Sequence, residues 1–183
     1  MRKLACALAA AAVCALSAPT VSSAASVETV EAQMTAASAA SIARQDMFDA
    51  FGEDEVEPGH YLWRDVPRGA GAERVVISLT DQLAYLYRGE TLVAAASIST
   101  AKAPKITPTG IFSILEKRPM YRSKKYDNAP MPFMQRIDQY GIAMHAGFNP
   151  GEPASHGCIR MPSKFAAKLY QVTDVGTPVL IGA

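Results

Sequence analysis

The stretch Val75-Val76-Ile77-Ser78-Leu79-Thr80-Asp81-Gln82-Leu83-Ala84-Tyr85-Leu86-Tyr87 decides the fold class. β-branched, aliphatic and aromatic residues fill both halves, and Thr80-Asp81-Gln82 supplies a turn between them. Arg88-Gly89-Glu90 is a second turn, and Thr91 to Ser99 resumes the apolar pattern, so the chain opens on a β-meander. Gly110 to Leu115 and Gly141 to Met144 read as two further strands, and Pro178 to Ile181 as the last. Between them, residues 117 to 140 are rich in Pro, Met and Tyr and read as a long loop, of the kind that serves function inside a compact domain. One helix is predicted over Lys164 to Gln171, with Ser163 as its cap and Phe165, Leu169 and Val172 facing the sheet. Residues 58 to 183 therefore form a mainly β domain with one or two short helices and room for its own core.

Upstream the composition differs. Met1-Arg2-Lys3, the apolar run Leu4 to Leu16 and the small residues up to Ala25 read as a secretory signal peptide over residues 1 to 25. The run is too short and alanine-rich for a membrane span, which needs about 20 strongly apolar residues, and no later segment is long enough. The expectation is an exported protein of the periplasm or cell envelope, without an integral membrane segment after cleavage. Cys14 as a lipid anchor is disfavoured by the bulky Val13 before it. Residues 26 to 57 are rich in Ala, Ser and Glu and carry helical propensity with a weak apolar stripe, so they read as a tether or a loosely held helix.

Loss of the leader leaves one thiol, since Cys6 and Cys14 lie within it and Cys158 is the third cysteine. A lone cysteine in an exported chain suggests intermolecular pairing or a reactive group. The alternative is an inert buried thiol, against which stand Gly157 before it and Arg160 after it. The formal charge of +1 becomes −1 once Arg2 and Lys3 leave with a leader that has no acids. That balance offers nothing to nucleic acid, which usually meets a basic face.

His145 ends an apolar run with twelve residues between it and Cys158, and the intervening Gly147, Pro150, Gly151 and Pro153 favour a loop that folds back on itself. The imidazole can then act as general base to the thiol, or as the cation of an ion pair, and later protonate a leaving amine. With no Asp or Asn at an obvious local position, the backbone carbonyl of Ala146 is the candidate for orienting the ring. The amides of Gly157 and Cys158 can face a developing oxyanion. Arg160 offers a charged fork to a substrate carboxylate, or else a structural salt bridge. His156 is a supporting residue and His60 a structural one. A zinc site on His145, His156 and Cys158 lacks the spacing and second thiol of common zinc patterns, so neither metal nor other cofactor is expected.

At these residues the chain resembles the L,D-transpeptidase catalytic domain, also called the YkuD-type domain. The resemblance rests on His145 followed by Ser155-His156-Gly157-Cys158-Ile159-Arg160-Met161, and extends to Val75–Tyr87, Thr107-Pro108-Thr109-Gly110-Ile111-Phe112 and Gly176-Thr177-Pro178-Val179, covering roughly residues 73 to 182. It implies a YkuD-like β-sandwich with the catalytic cysteine at the base of a cleft, acting on peptidoglycan stem peptides in cell-wall formation. It further implies that Cys158 attacks the carbonyl before a terminal D-alanine, that D-alanine leaves, and that an amine takes the acyl group from the thioester. His145 is then the acid/base, the Ala146 carbonyl its orienting partner, and Arg160, His156 and Ser155 lie beside the substrate. The segment from Tyr126 to Gln135, including Phe133, forms a wall or lid over the cleft. Covalent inhibition by carbapenems is also implied.

Three departures stand out. Ala146 replaces the usual Gly, Ser or Thr; the loop from His145 to Cys158 is shorter than in many members; and Ser99-Thr100-Ala101 stands for Ser-Thr-Gly. The competing readings are an L,D-carboxypeptidase, a cross-link-cleaving endopeptidase, and a non-catalytic wall-binding protein.

Overall fold

A computed structural model describes residues 26–183; the signal peptide expected over residues 1 to 25 lies outside them. The meander forms strands β2 (Glu73–Ser78), β3 (Leu83–Arg88) and β4 (Thr91–Ser97), paired antiparallel in sequence. The first turn is closed by its polar residues. Ser78 Oγ donates to Asp81 Oδ2 at 2.7 Å, and the Asp81 amide donates back to Ser78 Oγ at 3.1 Å. β1 (Tyr61–Trp63), β5 (Gly110–Ser113) and β10 (Pro178–Gly182) complete a six-stranded sheet in the order β1-β4-β3-β2-β10-β5, with β10 parallel to β2.

A second sheet holds β6 (Glu116–Arg122), β7 (Pro130–Arg136), β8 (Ala143–Ala146) and β9 (Ile159–Met161), in that order. Its first half corrects an expectation: much of the segment read as a long loop is the β6–β7 hairpin. The prolines sit where a hairpin tolerates them, with Pro130 opening β7 and β6 at the sheet edge. Met and Pro lack the alternating β-branched pattern by which strands are recognised, so the hairpin is invisible to periodicity. The strand expected from Gly141 starts two residues later, at Ala143. Helix α2 (Ser163–Val172) follows β9, but its cap is Pro162, without a side-chain hydrogen bond, and Ser163 is its first residue.

Alternation explains why the meander is buried on both faces. Val75, Ile77, Ala84, Leu86, Ala94 and Ala96 meet Met144, Ile159, Met161, Phe165 and Leu169 in one core. Their neighbours Val76, Tyr85, Tyr87 and Ala95 point the other way, into a second core. That second core is covered by α1 (Val30–Phe51).

Helix α1 corrects the reading of residues 26 to 57 as a tether or loosely held helix. Ala32, Ala36, Ala40, Ala43 and Met47 recur at helical spacing and are buried against the sheet. A stripe of alanines carries little hydrophobic signal, yet it lets backbones approach: a Cβ on Gly182 of β10 would lie 2.6 Å from Ala36 O. Thr29 Oγ1 accepts from the Ala32 amide, and Gly52, at φ +72°, closes the helix with its amide on Phe48 O. Tyr87 donates its hydroxyl to Asp46 at 2.6 Å, and Arg44 pairs with Asp81 at 2.6 Å. Val27 also pairs with Ile111 at the edge of β5. None of the helices among the described residues is long and apolar enough to cross a membrane.

Candidate active site

The site is built on the one parallel pair of the second sheet. β8 and β9 align Met144 with Ile159 and His145 with Arg160. Extending the register one step places Cys158 opposite Ala143. Because successive side chains alternate faces, Ala143, His145, Cys158 and Arg160 share one face while Met144, Ile159 and Met161 enter the core. Strand spacing and rise put the Cα atoms of Cys158 and His145 roughly 8 Å apart on the diagonal. All four line a cleft of about 970 Å³.

The loop ahead of Cys158 is held from both sides. Thr100 O accepts the amides of Ala154 and Ser155 at 2.9 Å, and Ser99 exchanges two backbone hydrogen bonds with Arg160. Thr107 Oγ1 donates to Gly157 O at 2.8 Å and accepts from the Ala101 amide at 3.0 Å. The Ser-Thr-Ala segment that departs from the family pattern is therefore the clamp on the cysteine motif. Gln82 secures Thr100 in turn, through its amide and its hydroxyl. Ser155, buried, donates its hydroxyl to Cys158 O at 2.6 Å and accepts the Gly157 amide at 3.0 Å. Its side chain braces the loop. The same contact removes the oxyanion role expected of Gly157, whose N–H is already taken.

His145 is buried, with Nδ1 2.8 Å from Ala146 O. A carbonyl only accepts, so Nδ1 carries the proton and Nε2 is left as a base. Burial pushes the imidazole below its ordinary value, the Ala146 carbonyl opposes this, and the Arg160 charge lowers it further. Cys158 is half-buried, its Sγ donating to Gly141 O at 3.8 Å. Burial pushes its thiol above the ordinary value; an Ala143 backbone contact lowers it, the Asp138 carboxylate raises it and Arg160 lowers it. Both directions favour a neutral thiol beside a neutral imidazole at rest. Of the two alternatives read from the sequence, these directions agree with the general-base pair.

His156 and Tyr126 stack at 4.6 Å and 17°, joining the cysteine loop to the loop of the β6–β7 hairpin along the cleft. Arg160 lines the same cleft, its stem lying over Gly147. Phe133 does not face the cleft: it packs on Tyr170 of α2, ring centroids 6.0 Å apart, and on the main core. Its φ of +55° breaks the strand's alternation, which is why a reading of the segment as a wall misplaces it. Sequence reasoning missed Thr107, Asp138, and the cleft residues Lys124, Lys125, Tyr140 and Phe148. The Asp138-Gln139-Tyr140-Gly141 run carries an ordinary turn signal; nothing in it announces proximity to the sulfur.

Residues 72–181 match the model of the YkuD family, described as the L,D-transpeptidase catalytic domain. A Bacillus licheniformis protein provisionally named as the L,D-transpeptidase YkuD is 29% identical over 114 residues, 59% of this chain and 64% of that protein. An L,D-transpeptidase from Xylanimonas cellulosilytica is similar in structure, with TM-score 0.54, 26% identity, and coverage of 65% of this chain and 64% of that one. L,D-transpeptidase 3 from Mycobacterium tuberculosis, solved with a faropenem-derived adduct, shares the fold at TM-score 0.56 and 19% identity, over 61% of this chain and 60% of that one. The chain thus spans just under two thirds of each of these relatives. The architecture of two sheets and two helices is that of the L,D-transpeptidase structures, and with the family model spanning well over half its length the chain belongs to the YkuD family of L,D-transpeptidase catalytic domains, a family of enzymes.

Proposed function

We propose that this protein is an exported L,D-transpeptidase of the cell envelope that transfers a peptidoglycan stem-peptide acyl group through a Cys158 thioester. The observation that carries this reading is the placement of His145 and Cys158 on one face of adjacent parallel strands, in an open cleft, with the ring anchored by Ala146 O.

The sulfur attacks the carbonyl carbon that precedes the terminal D-alanine while Nε2 of His145 takes the thiol proton. The negative charge collects on the carbonyl oxygen, where the Cys158 amide is the remaining candidate donor of the two first considered. Collapse breaks the C–N bond, and the imidazolium returns its proton to the departing amine of D-alanine. The thioester is then attacked by the acceptor amine, His145 removing the amine's proton, and Cys158 leaves as a thiol. Starting from a neutral pair, charge separation arises only at the reacting atoms, in a site whose burial opposes resting charges. Arg160, Lys124 and Lys125 supply cations for the several carboxylates of a stem peptide, and the Tyr126–His156 stack forms an aromatic side to the binding groove.

Intact-mass analysis after exposure to imipenem tests the nucleophile: an adduct mapped to Cys158 is expected, and none in Cys158→Ala. A stem tetrapeptide offered with and without an amine then tests the reaction. Amide formed to the amine with release of D-alanine supports transfer, whereas release only as free acid converts the reading to a carboxypeptidase. Turnover retained by Cys158→Ala overturns both.

A further inference from the structure

Asp138 is 3% exposed, lies between β7 and β8, and contacts neither the cleft nor a cation with its carboxylate. Its Oδ1 accepts three consecutive amides, those of Tyr140 at 2.9 Å, Gly141 at 2.7 Å and Ile142 at 2.7 Å. With three N–H groups gathered on one oxygen and Ile142 O taken by the Ile137 amide at 2.9 Å, the conformation of the turn is fixed. The carbonyl of Gly141 is the one that accepts the thiol of Cys158. Ile142, the last amide of the turn, sets its terminal methyl group where a Cβ on Gly157 would come within 2.5 Å. One buried anion thus shapes the surface against which both the sulfur and the glycine before it rest.

We infer that Asp138 is a positioning residue for the nucleophile: by caging the 140–142 turn it aims Gly141 O at Sγ, parking Cys158 as a hydrogen-bonded thiol until substrate enters. The inference rests on the proposed role of Cys158, but its own readout is sulfur reactivity. The other charged and titratable groups around the cleft are His145, Arg160, His156, Glu116, Arg136, Lys124 and Lys125, with the phenols of Tyr121, Tyr126 and Tyr140. None donates to Asp138's carboxylate, so a neutral side chain there removes one anion and leaves that set in place. The anion disfavours the thiolate, and so does the carbonyl acceptor, which bonds only the protonated sulfur. Neutralising position 138 therefore increases the thiolate at a given pH.

The test is the pH profile of Cys158 alkylation by iodoacetamide, followed on the Cys158 peptide by mass spectrometry in the full chain. Wild type, Asp138→Asn, Asp138→Ser and Ile142→Ala are compared, with folding checked by near-ultraviolet circular dichroism. Both Asp138 variants are expected to alkylate about threefold or more faster near neutral pH, with the profile moved to lower pH. Ile142→Ala removes a side chain from the same turn but leaves its amides on the Asp138 carboxylate and the charge in place, and its profile is expected to stay within about twofold of wild type. Imipenem acylation is expected to slow in Asp138→Asn, because the freed sulfur is no longer held in place. Unchanged profiles in the folded Asp138 variants, or an equal shift in Ile142→Ala, overturn the inference. Absence of an imipenem adduct on the wild-type protein instead counts against the proposed function, and the alkylation profiles still decide the role of Asp138.

Discussion

Gly157→Ala isolates the backbone requirement of the cysteine loop. Gly157 sits at φ +140°, a region L-residues rarely adopt, and an added Cβ would lie 2.5 Å from Ile142 Cδ1, with Ile106 O next at 3.5 Å. Carbon atoms prefer about 3.5–4.0 Å, so the methyl of Ile142 must swing away. Ile142 is half-buried, and an off-rotamer position for its terminal group costs about 0.5–1.5 kcal/mol. The backbone adds about 1–3 kcal/mol. It cannot relax freely, because the Gly157 amide is on Ser155 Oγ and its carbonyl on Thr107 Oγ1, and freeing either buried group costs about 1–3 kcal/mol. The total is about 2–4 kcal/mol, dominated by the backbone.

Urea denaturation of wild type, Gly157→Ala, Ile142→Ala and the double variant separates the two parts. Removing the isoleucine should recover no more than about 1.5 kcal/mol of the loss, the clash alone. Acylation of Cys158 should fall by about two orders of magnitude in Gly157→Ala, since the sulfur is displaced from its line of attack. A destabilisation under about 1 kcal/mol, or full recovery in the double variant, would refute the argument that the left-handed backbone is what demands glycine.

Met47→Ala removes the largest buried side chain of α1 and should cost about 2–5 kcal/mol in urea melts, as a core truncation does; a cost near zero would mean the helix contributes nothing to the sheet. The lowered imidazole of His145 makes a pH prediction with a definite sign. Above the ordinary value of 6.5 both folded and unfolded forms hold it neutral, and below that the unfolded chain binds the proton first. Stability should therefore fall as pH drops from about 6.5 toward the depressed folded value. His145→Gln should flatten that part of the stability–pH curve, and an identical slope in the variant would count against a buried neutral ring.

The meander was legible because its turns carry Asp, Gly and Gln between runs of β-branched and aromatic residues, and α2 because Phe165 and Leu169 recur at helical spacing. Helix α1 was legible as a helix but not as a docked one. Its buried face is mostly alanine, whose hydrophobic signal is weak, and the space that makes alanine suitable is set by Ala95 and Gly182 on the sheet face it meets. The β6–β7 hairpin was hidden because Pro, Met and Lys satisfy an edge position through pairing, not through alternation. Phe133 shows the same gap: only the positive φ within β7 turns it from cleft to core.

Residue chemistry alone determined that one thiol and one imidazole stand in a loop-linked pair, that the scaffold is mainly β, and that glycine precedes the cysteine. Those are local properties, set by residue type and short spacing. Tertiary structure decided which atoms each group faces. The parallel register of β8 and β9 placed His145 and Cys158 on one face, burial pushed the imidazole down while the Ala146 carbonyl held the proton on Nδ1, and Ser155 took the Gly157 amide that the sequence had offered to an oxyanion. Hydrogen-bond partners and solvation depend on strands distant in sequence, and the Asp138 cage reaches the sulfur only because the turn after β7 folds back beside β9.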